Sequence, residues 1–183
     1  MAKRTYTFQL ALAAAEIREY FELRKQIFCE EQGLFDQHDQ DDIDIRSYPI
    51  VAIAHEENQP DQVVGVVRIY EQENRLWYGG RLGVHPDFRR VGRIGKGLIQ
   101  KAVTTANTWG CDKFLATVQL QNVRFFTRLH WESLEEIEIL ERPHHLMQAE
   151  LEYYPAGQQH RPALPLSQAL PQRLAIPEME QVA

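Results

Sequence analysis

The residues best equipped for chemistry lie between Gly83 and Ile99, in the run Gly-Val-His-Pro-Asp-Phe-Arg-Arg-Val-Gly-Arg-Ile-Gly-Lys-Gly-Leu-Ile. Four cations, Arg89, Arg90, Arg93 and Lys96, are interleaved with Gly92, Gly95 and Gly97. The following residues carry a helical apolar pattern, so the cations sit where a helix begins. Unliganded, they would repel one another and oppose the positive end of the helix dipole. Free first-turn amides beside fixed cations suit an anion such as a pyrophosphate. The spacing excludes two familiar phosphate loops. Arg90 stands where a Walker loop needs glycine, and Gly92-x-x-Gly95-x-Gly97 is not the dinucleotide fingerprint.

Two other groups invite chemistry less strongly. Asp36–Asp44 carries five aspartates and His38. It lacks the glycine and terminal glutamate of a calcium loop, so it reads as a solvated charge run near a site mouth, or as a lure for a cation. Cys111 lies just past a helix stop with no histidine assigned to it, which reads as a buried thiol rather than a nucleophile. Cys29 and Cys111 make no disulfide framework, and no cysteine–histidine cluster has metal spacing.

The elements that must position the turn follow from periodicity. Thr5–Leu10 alternates as an edge strand, and Ala13–Cys29 has helical spacing that Gly33 ends. Pro49–Ala54, Val63–Tyr70 and Leu76–Val84 are strands joined by short polar turns, hence an antiparallel meander. Gly95–Trp109 is an amphipathic helix stopped by Gly110, and Phe114–Val118 is a buried, parallel-type strand after it. Asn122 is placed to cap a short helix carrying Val123, Phe126 and Leu129. Leu134–Leu140 and Leu146–Leu151 form a last strand pair. The predicted fold class is α/β, a mixed sheet with helices on both faces, an antiparallel meander and then a parallel strand–helix–strand unit. Residues 1–154 are expected to form the domain. Residues 155–183 hold five of the nine prolines and no aromatic residue. They read as a Pro-rich tail, either mobile or strapped across the body or a partner subunit in a homodimer.

Composition bounds the rest. The chain has 183 residues, 44% hydrophobic and 25% charged, with net charge −6. That suits one globular domain and argues against a general nucleic-acid binder. No apolar run approaches the ~18–20 residues of a membrane span, and no secretory signal is evident. A cytoplasmic protein without membrane or nucleic-acid partners is expected.

The order strand, Val84-His85-Pro86-Asp87-Phe88-Arg89-Arg90, glycine-rich turn, helix, strand, Asn-led helix resembles the GCN5-related N-acetyltransferases (GNAT), over about residues 5–154. Gly79-Gly80-Arg81-Leu82-Gly83-Val84-His85-Pro86, Leu129–Glu136 and Pro143-His144-His145-Leu146-Met147 resemble the nitrogen-starvation N-acetyltransferase subgroup of cyanobacteria and actinobacteria. The resemblance implies that the turn holds the coenzyme A pyrophosphate, with the pantetheine arm where Leu76–Val84 and Phe114–Val118 part. The implied cofactor contacts are Leu82, Gly83 and Val84 on the strand, Arg89, Arg90, Gly92, Arg93, Ile94, Gly95, Lys96 and Gly97 in the turn, and Asn122 and Phe126 beyond it. Against the family turn, Arg/Gln-x-x-Gly-x-Gly/Ala, the sequence departs whichever arginine starts the count. Ile94 fills the last place from Arg89, and Arg93 the first glycine from Arg90. A one-residue expansion accounts for both.

Amide formation needs a base for the amine and an acid for the leaving thiolate. The family's usual tyrosine falls on Phe126, which has no proton to give. Tyr78 and His130 substitute by position, or coenzyme A leaves with help from solvent. Glu31 is the first candidate base, with Glu71 and Glu73 next, and partial burial is expected to raise the Glu31 pKa. The implied activity is direct acetyl transfer from acetyl-CoA to the amine of a small molecule. A non-catalytic acyl-CoA sensor and an acyl-homoserine-lactone-type synthase are the alternatives.

Overall fold

The structure, a computed structural model, describes residues 4–167, the Val91 side chain excepted. Its centre is a seven-stranded sheet in the order β1-β2-β3-β4-β5-β7-β6. The strands are β1 (Thr5–Leu10), β2 (Tyr48–His55), β3 (Gln62–Glu73), β4 (Leu76–Val84), β5 (Lys113–Gln119), β6 (Trp131–Ile139) and β7 (Arg142–Ala149). Every pairing is antiparallel except β4 with β5. The β-branched runs of β2 and β3 are buried along nearly their whole lengths, as strands covered on both faces must be.

Helix α2 (Arg93–Thr108) and the shorter α3 (Leu120–Thr127) cover one face. Leu98, Ile99, Ala102, Val103 and Ala106 form the buried stripe of α2, packed with Trp77, Phe114, Phe126 and Trp131 in the larger core. Helix α1 (Ala14–Arg24) covers the other face through Tyr20, Leu23, Val51 and Val66. The expected single helix over Ala13–Cys29 changes character after Arg24. Residues Lys25–Glu31 are π-helical, and Gln32 N–H bonds Ile27 O five residues back. This wider winding brings Ile27 and Phe28 into contact with β4 and the cleft described below.

Asn122 does not cap α3. The helix starts at Leu120 with Gln119 as its cap, because β5 runs directly into it. After Tyr154, residues 155–167 lie against the body. Tyr48 donates to Pro162 O at 2.8 Å and the Trp109 indole donates to Gln159 O at 3.0 Å. The Arg161 guanidinium sits 4.8 Å from the Trp77 ring centre and pairs with Glu71 at 2.9 Å, and Leu166 is buried. The rest of the tail, 168–183, lies outside the described residues.

Candidate active site

Strand β4 creates the site by leaving its neighbour. Leu76, Trp77 and Tyr78 pair with Lys113, Phe114 and Leu115 of β5, and the ladder ends there. Beyond it, Arg81 and Leu82 together face only Val67 on β3, and Arg81 has φ 55°. The extra residue makes a bulge, which bends β4 away from β5. Gly79 stands at the root of the gap, where an added Cβ would come 3.0 Å from the Phe114 ring.

The cleft so opened has two parts that share Leu82 and Phe126. The inner part is apolar, with Gly79, Gly80, Ile99, Val103, Phe114 and Trp131 on its walls. The outer part adds Phe28, Val118 and three amides, Gln32, Gln119 and Asn122. Thus Leu82, Asn122 and Phe126 reach the cleft. Gly83 faces the opposite way, towards Ile27, and Val84 packs on the larger core. Gln32 and Gln119 were not singled out from sequence. Their signal was only positional: one follows Glu31, the other ends the strand after the glycine-rich helix.

The basic turn lies next to β4. A 3₁₀ turn over Pro86–Val91 ends at Gly92, whose φ of 64° is left-handed, and α2 begins at Arg93. The first turn of α2 holds no acidic residue. Arg90, Arg93 and Lys96 are exposed, with no hydrogen-bond or ion-pair partner among the described residues. Not every residue of the turn faces outward. Ile94 is buried in the core, and an added Cβ on Gly97 would strike the Phe8 ring at 2.2 Å. Gly97 is therefore small so that α2 can lie on β1. Its side of the helix is closed to a ligand.

Arg89 differs from its neighbours. Its Nε donates to Val84 O at 2.9 Å, and its two outer nitrogens hold both Glu31 oxygens at 2.6 and 2.8 Å. This overturns the expected direction for Glu31. The Arg89 hydrogen bonds lower the Glu31 pKa, outweighing the smaller opposing effect of its partial burial. Glu31 is thus a paired carboxylate and a poorer base than expected.

The other two acid–base candidates do not meet Glu31. Tyr78 stacks on Tyr70, ring centres 5.7 Å apart, on the α1 face at the root of the splay. His130 sits in an exposed turn at the far end of the sheet, stacked on Tyr153 and 3.0 Å from Glu150. Neither is among the residues that line the cleft. Glu71 pairs with Arg161, away from the turn. Burial raises the Cys111 pKa to about 12, so the thiol stays protonated at neutral pH.

The acidic stretch Asp36–Asp44 is the largest departure from expectation. It is not a solvated run. Asp39 and Asp44 are buried and meet three buried arginines. Arg24 donates to Asp39 at 2.7 Å and to Asp44 at 2.6 Å. Arg68 bridges Asp41 and Asp44, and Arg81 on the bulge holds Asp39 and Asp41 at 3.0 and 3.2 Å. The network ties the loop after α1 to the bent part of β4. Burial pushes the Asp44 pKa up, but Arg24 and Arg68 outweigh it and hold the carboxyl well below its usual range.

Comparison with known proteins agrees with this geometry. The model of the acetyltransferase (GNAT) family matches residues 14–131. Among curated proteins, none matches the chain in sequence. Several solved structures share the fold. A candidate N-acetyltransferase from Lactobacillus plantarum is 20% identical at TM-score 0.69, covering 80% of this chain and 98% of its own. An acyl-CoA N-acyltransferase from Pseudomonas aeruginosa is 17% identical at TM-score 0.60, covering 79% and 99%. An N-acyl amino acid synthase from uncultured soil microbes is 10% identical at TM-score 0.61, covering 84% and 96%.

Proposed function

Because the chain belongs to the acetyltransferase (GNAT) family, we propose that this acyltransferase moves an acetyl group from acetyl-CoA to the amine of a small molecule by direct attack. One observation carries the reading. An apolar cleft between two parting parallel strands lies beside a helix start whose three cations, Arg90, Arg93 and Lys96, have no counter-ion among the described residues. A pantetheine arm needs the first feature and a pyrophosphate the second. Gly92 supplies the left-handed residue that turns the chain into the helix. Asn122 and Gln119 offer amides to the polar arm, and Phe126 offers a flat apolar wall.

The chemistry needs little beyond placement and one proton acceptor. A thioester and an amine held together gain most of their rate from orientation. The neutral amine attacks the carbonyl carbon, the C–S bond breaks with its electron pair on sulfur, the nitrogen gives up its proton to solvent, and the thiolate takes one from solvent, since Phe126 offers none. Cys111, buried and protonated, is no part of the route. The test is release of free thiol from acetyl-CoA with a panel of primary amines. Amine-dependent release supports the reading, and acetyl-CoA binding without release under every amine overturns it.

A second reading concerns the donor. The inner cleft runs between Ile99, Val103, Phe114 and Trp131 with almost no polar lining. Such a wall suits an acyl chain longer than acetyl, as an acyl-homoserine-lactone-type synthase would need. Comparing acetyl-, hexanoyl- and octanoyl-CoA in the same assay separates the two donors. A rate that rises with chain length favours the longer one.

A further inference from the structure

The outer cleft is walled from both faces of the sheet. Asn122 and Phe126 belong to α3, on the face that α2 also covers. Phe28 and Gln32 come from the π-helical end of the first helix, on the other face. The basic turn and the α3 wall suit the two parts of coenzyme A, so a donor lies along that side. The wall left for an acceptor is the one built by the π-helical segment. Its winding fixes that wall at the backbone. Gln32 N–H bonds Ile27 O at 3.0 Å, and Leu34 N–H bonds Phe28 O at 2.9 Å. Both side chains then reach the same space from one element.

The polar member of this wall is only loosely engaged. The Gln119 amide reaches Gln32 Oε1 at 3.5 Å, the outer limit of a hydrogen bond. Gln119 in turn accepts from Gln121. The side-chain nitrogen of Gln32 has no partner among the described residues. A primary amide carries two donors and an oxygen with two lone pairs. Its full match is a group that also both donates and accepts, a hydroxyl or another carboxamide. An ammonium would set donors against the Gln32 nitrogen, and a carboxylate would set acceptors against its oxygen. Neither charge would find a counter-ion on the remaining walls, which are Phe28, Leu82, Val118 and Phe126 beside the amides. Removing an unpaired charge from water is costly. Glu31, the carboxylate next to Gln32, has both oxygens on Arg89. The aspartates of the acidic loop are held by arginines and offer a cation no attraction.

We propose that the acceptor is a primary amine whose second polar group is neutral, a hydroxyl or a carboxamide, and that Gln32 binds that group. This rests on the acetyl-transfer reading above and names its substrate class. Phe28 packs against the carbons between the two groups. The long contact to Gln119 gives way at little cost when the acceptor enters. Diamines and amino acids are disfavoured, because each brings a second charge that these walls do not pair. Selection is by hydrogen-bond match rather than by electrostatic attraction.

The experiment follows thiol release from acetyl-CoA by the full chain with four primary amines of similar length. 3-Amino-1-propanol and β-alaninamide carry a neutral second group, 1,3-diaminopropane a cation and β-alanine an anion. At equal concentrations of unprotonated amine, kcat/KM for the neutral pair should exceed that for the charged pair about tenfold or more. Gln32→Leu should bring 3-amino-1-propanol down towards n-butylamine, chiefly through the KM of the amine. Gln32→Glu should move the order towards 1,3-diaminopropane by about tenfold. A merely structural glutamine would lower all the amines alike. The wild-type order needs no variant to fold. A charged amine within about threefold of the neutral pair, or an order that both variants leave as it was, overturns the assignment. A wild type that binds acetyl-CoA and releases no thiol with any amine overturns the acetyl-transfer reading, and this one with it.

Discussion

Two clusters of cations, one gathered from α1, β3 and β4 and the other in the turn after β4, have opposite fates. Arg24, Arg68 and Arg81 are buried and matched one for one by Asp39, Asp41 and Asp44. Arg90, Arg93 and Lys96 are exposed and have no partner among the described residues. A buried charge must be paired within the fold, because desolvation makes an unpaired one too costly. An exposed charge at a helix start can wait for its counter-ion. The first cluster therefore shapes β4, and the second is left free for a ligand. The difference predicts where mutation should cost stability and where it should cost affinity.

The largest effect is expected from breaking the buried network. Asp44→Ala leaves Arg24 and Arg68 short of a carboxylate and should cost about 3–5 kcal/mol, measured by urea unfolding at pH 7. A loss under about 1 kcal/mol would show that the network is not structural. The network also sets an acid limit. Because the folded-state pKa of Asp44 is depressed, its contribution is complete above the unfolded carboxylate value of about 3.9. It falls away as pH drops below that value towards the folded pKa. Stability measured from pH 6 downwards should therefore fall less steeply in Asp44→Asn than in wild type.

Next come the glycines of the turn, which divide the same way. Gly97→Val drives a side chain into Phe8 of β1 and should lower the melting temperature, because α2 must lift from the sheet. Gly92→Val has open space around it but a φ of 64°, so it strains the turn itself. A β-branched residue there should cost about 1–3 kcal/mol or shift the turn, and weaken acetyl-CoA binding about tenfold or more. Calorimetry with acetyl-CoA on the folded variants checks the division. Unchanged affinity in Gly92→Val would remove the turn from the binding site.

Smaller effects are expected at the open cations. Arg93→Ala and Lys96→Ala should leave stability unchanged or slightly improved, since each relieves repulsion at the helix start. Acetyl-CoA affinity should fall about three- to tenfold in each, and the gap from wild type should narrow as salt is raised. A loss that does not respond to salt would mean that the cations are not facing the pyrophosphate.

The same contrast explains how much could be read in advance. The open turn was legible because everything that defines it is local: cations, glycines and a helix start within a dozen residues. The strand–helix–strand order was legible from periodicity, whereas Phe126 was singled out only through the family resemblance, by counting to the family's tyrosine position, and it lines the cleft. The aspartates were misread for the converse reason. Their partners lie 15 to 42 residues away, so the run looks solvated until the sheet brings Arg68 and Arg81 together. Periodicity does not distinguish the π-helical winding of Lys25–Glu31 from an α-helix. Gly97 was assigned to the ligand because glycines in a basic turn suggest backbone contact, whereas its neighbour Phe8 is on the first strand.

The pair Glu31 and Arg89 belongs to neither cluster, and it tests whether the boundary is sharp. Both side chains are about 40% exposed, Glu31 at 37% and Arg89 at 42%, so the bridge should contribute no more than about 1 kcal/mol to stability. Its interest lies in what it occupies. The Arg89 fork that could meet a phosphate is already filled by a carboxylate, while Val84 O fixes the Nε. Glu31→Gln replaces a charged competitor with a neutral one and leaves that anchor intact. If Arg89 turns to the pyrophosphate when acetyl-CoA binds, the substitution should tighten binding about two- to threefold at low salt, with little change in unfolding free energy. Unchanged affinity would assign the bridge to the buried network's kind, an internal pairing that holds the end of the first helix to the turn, and would leave Arg90, Arg93 and Lys96 alone to face the ligand.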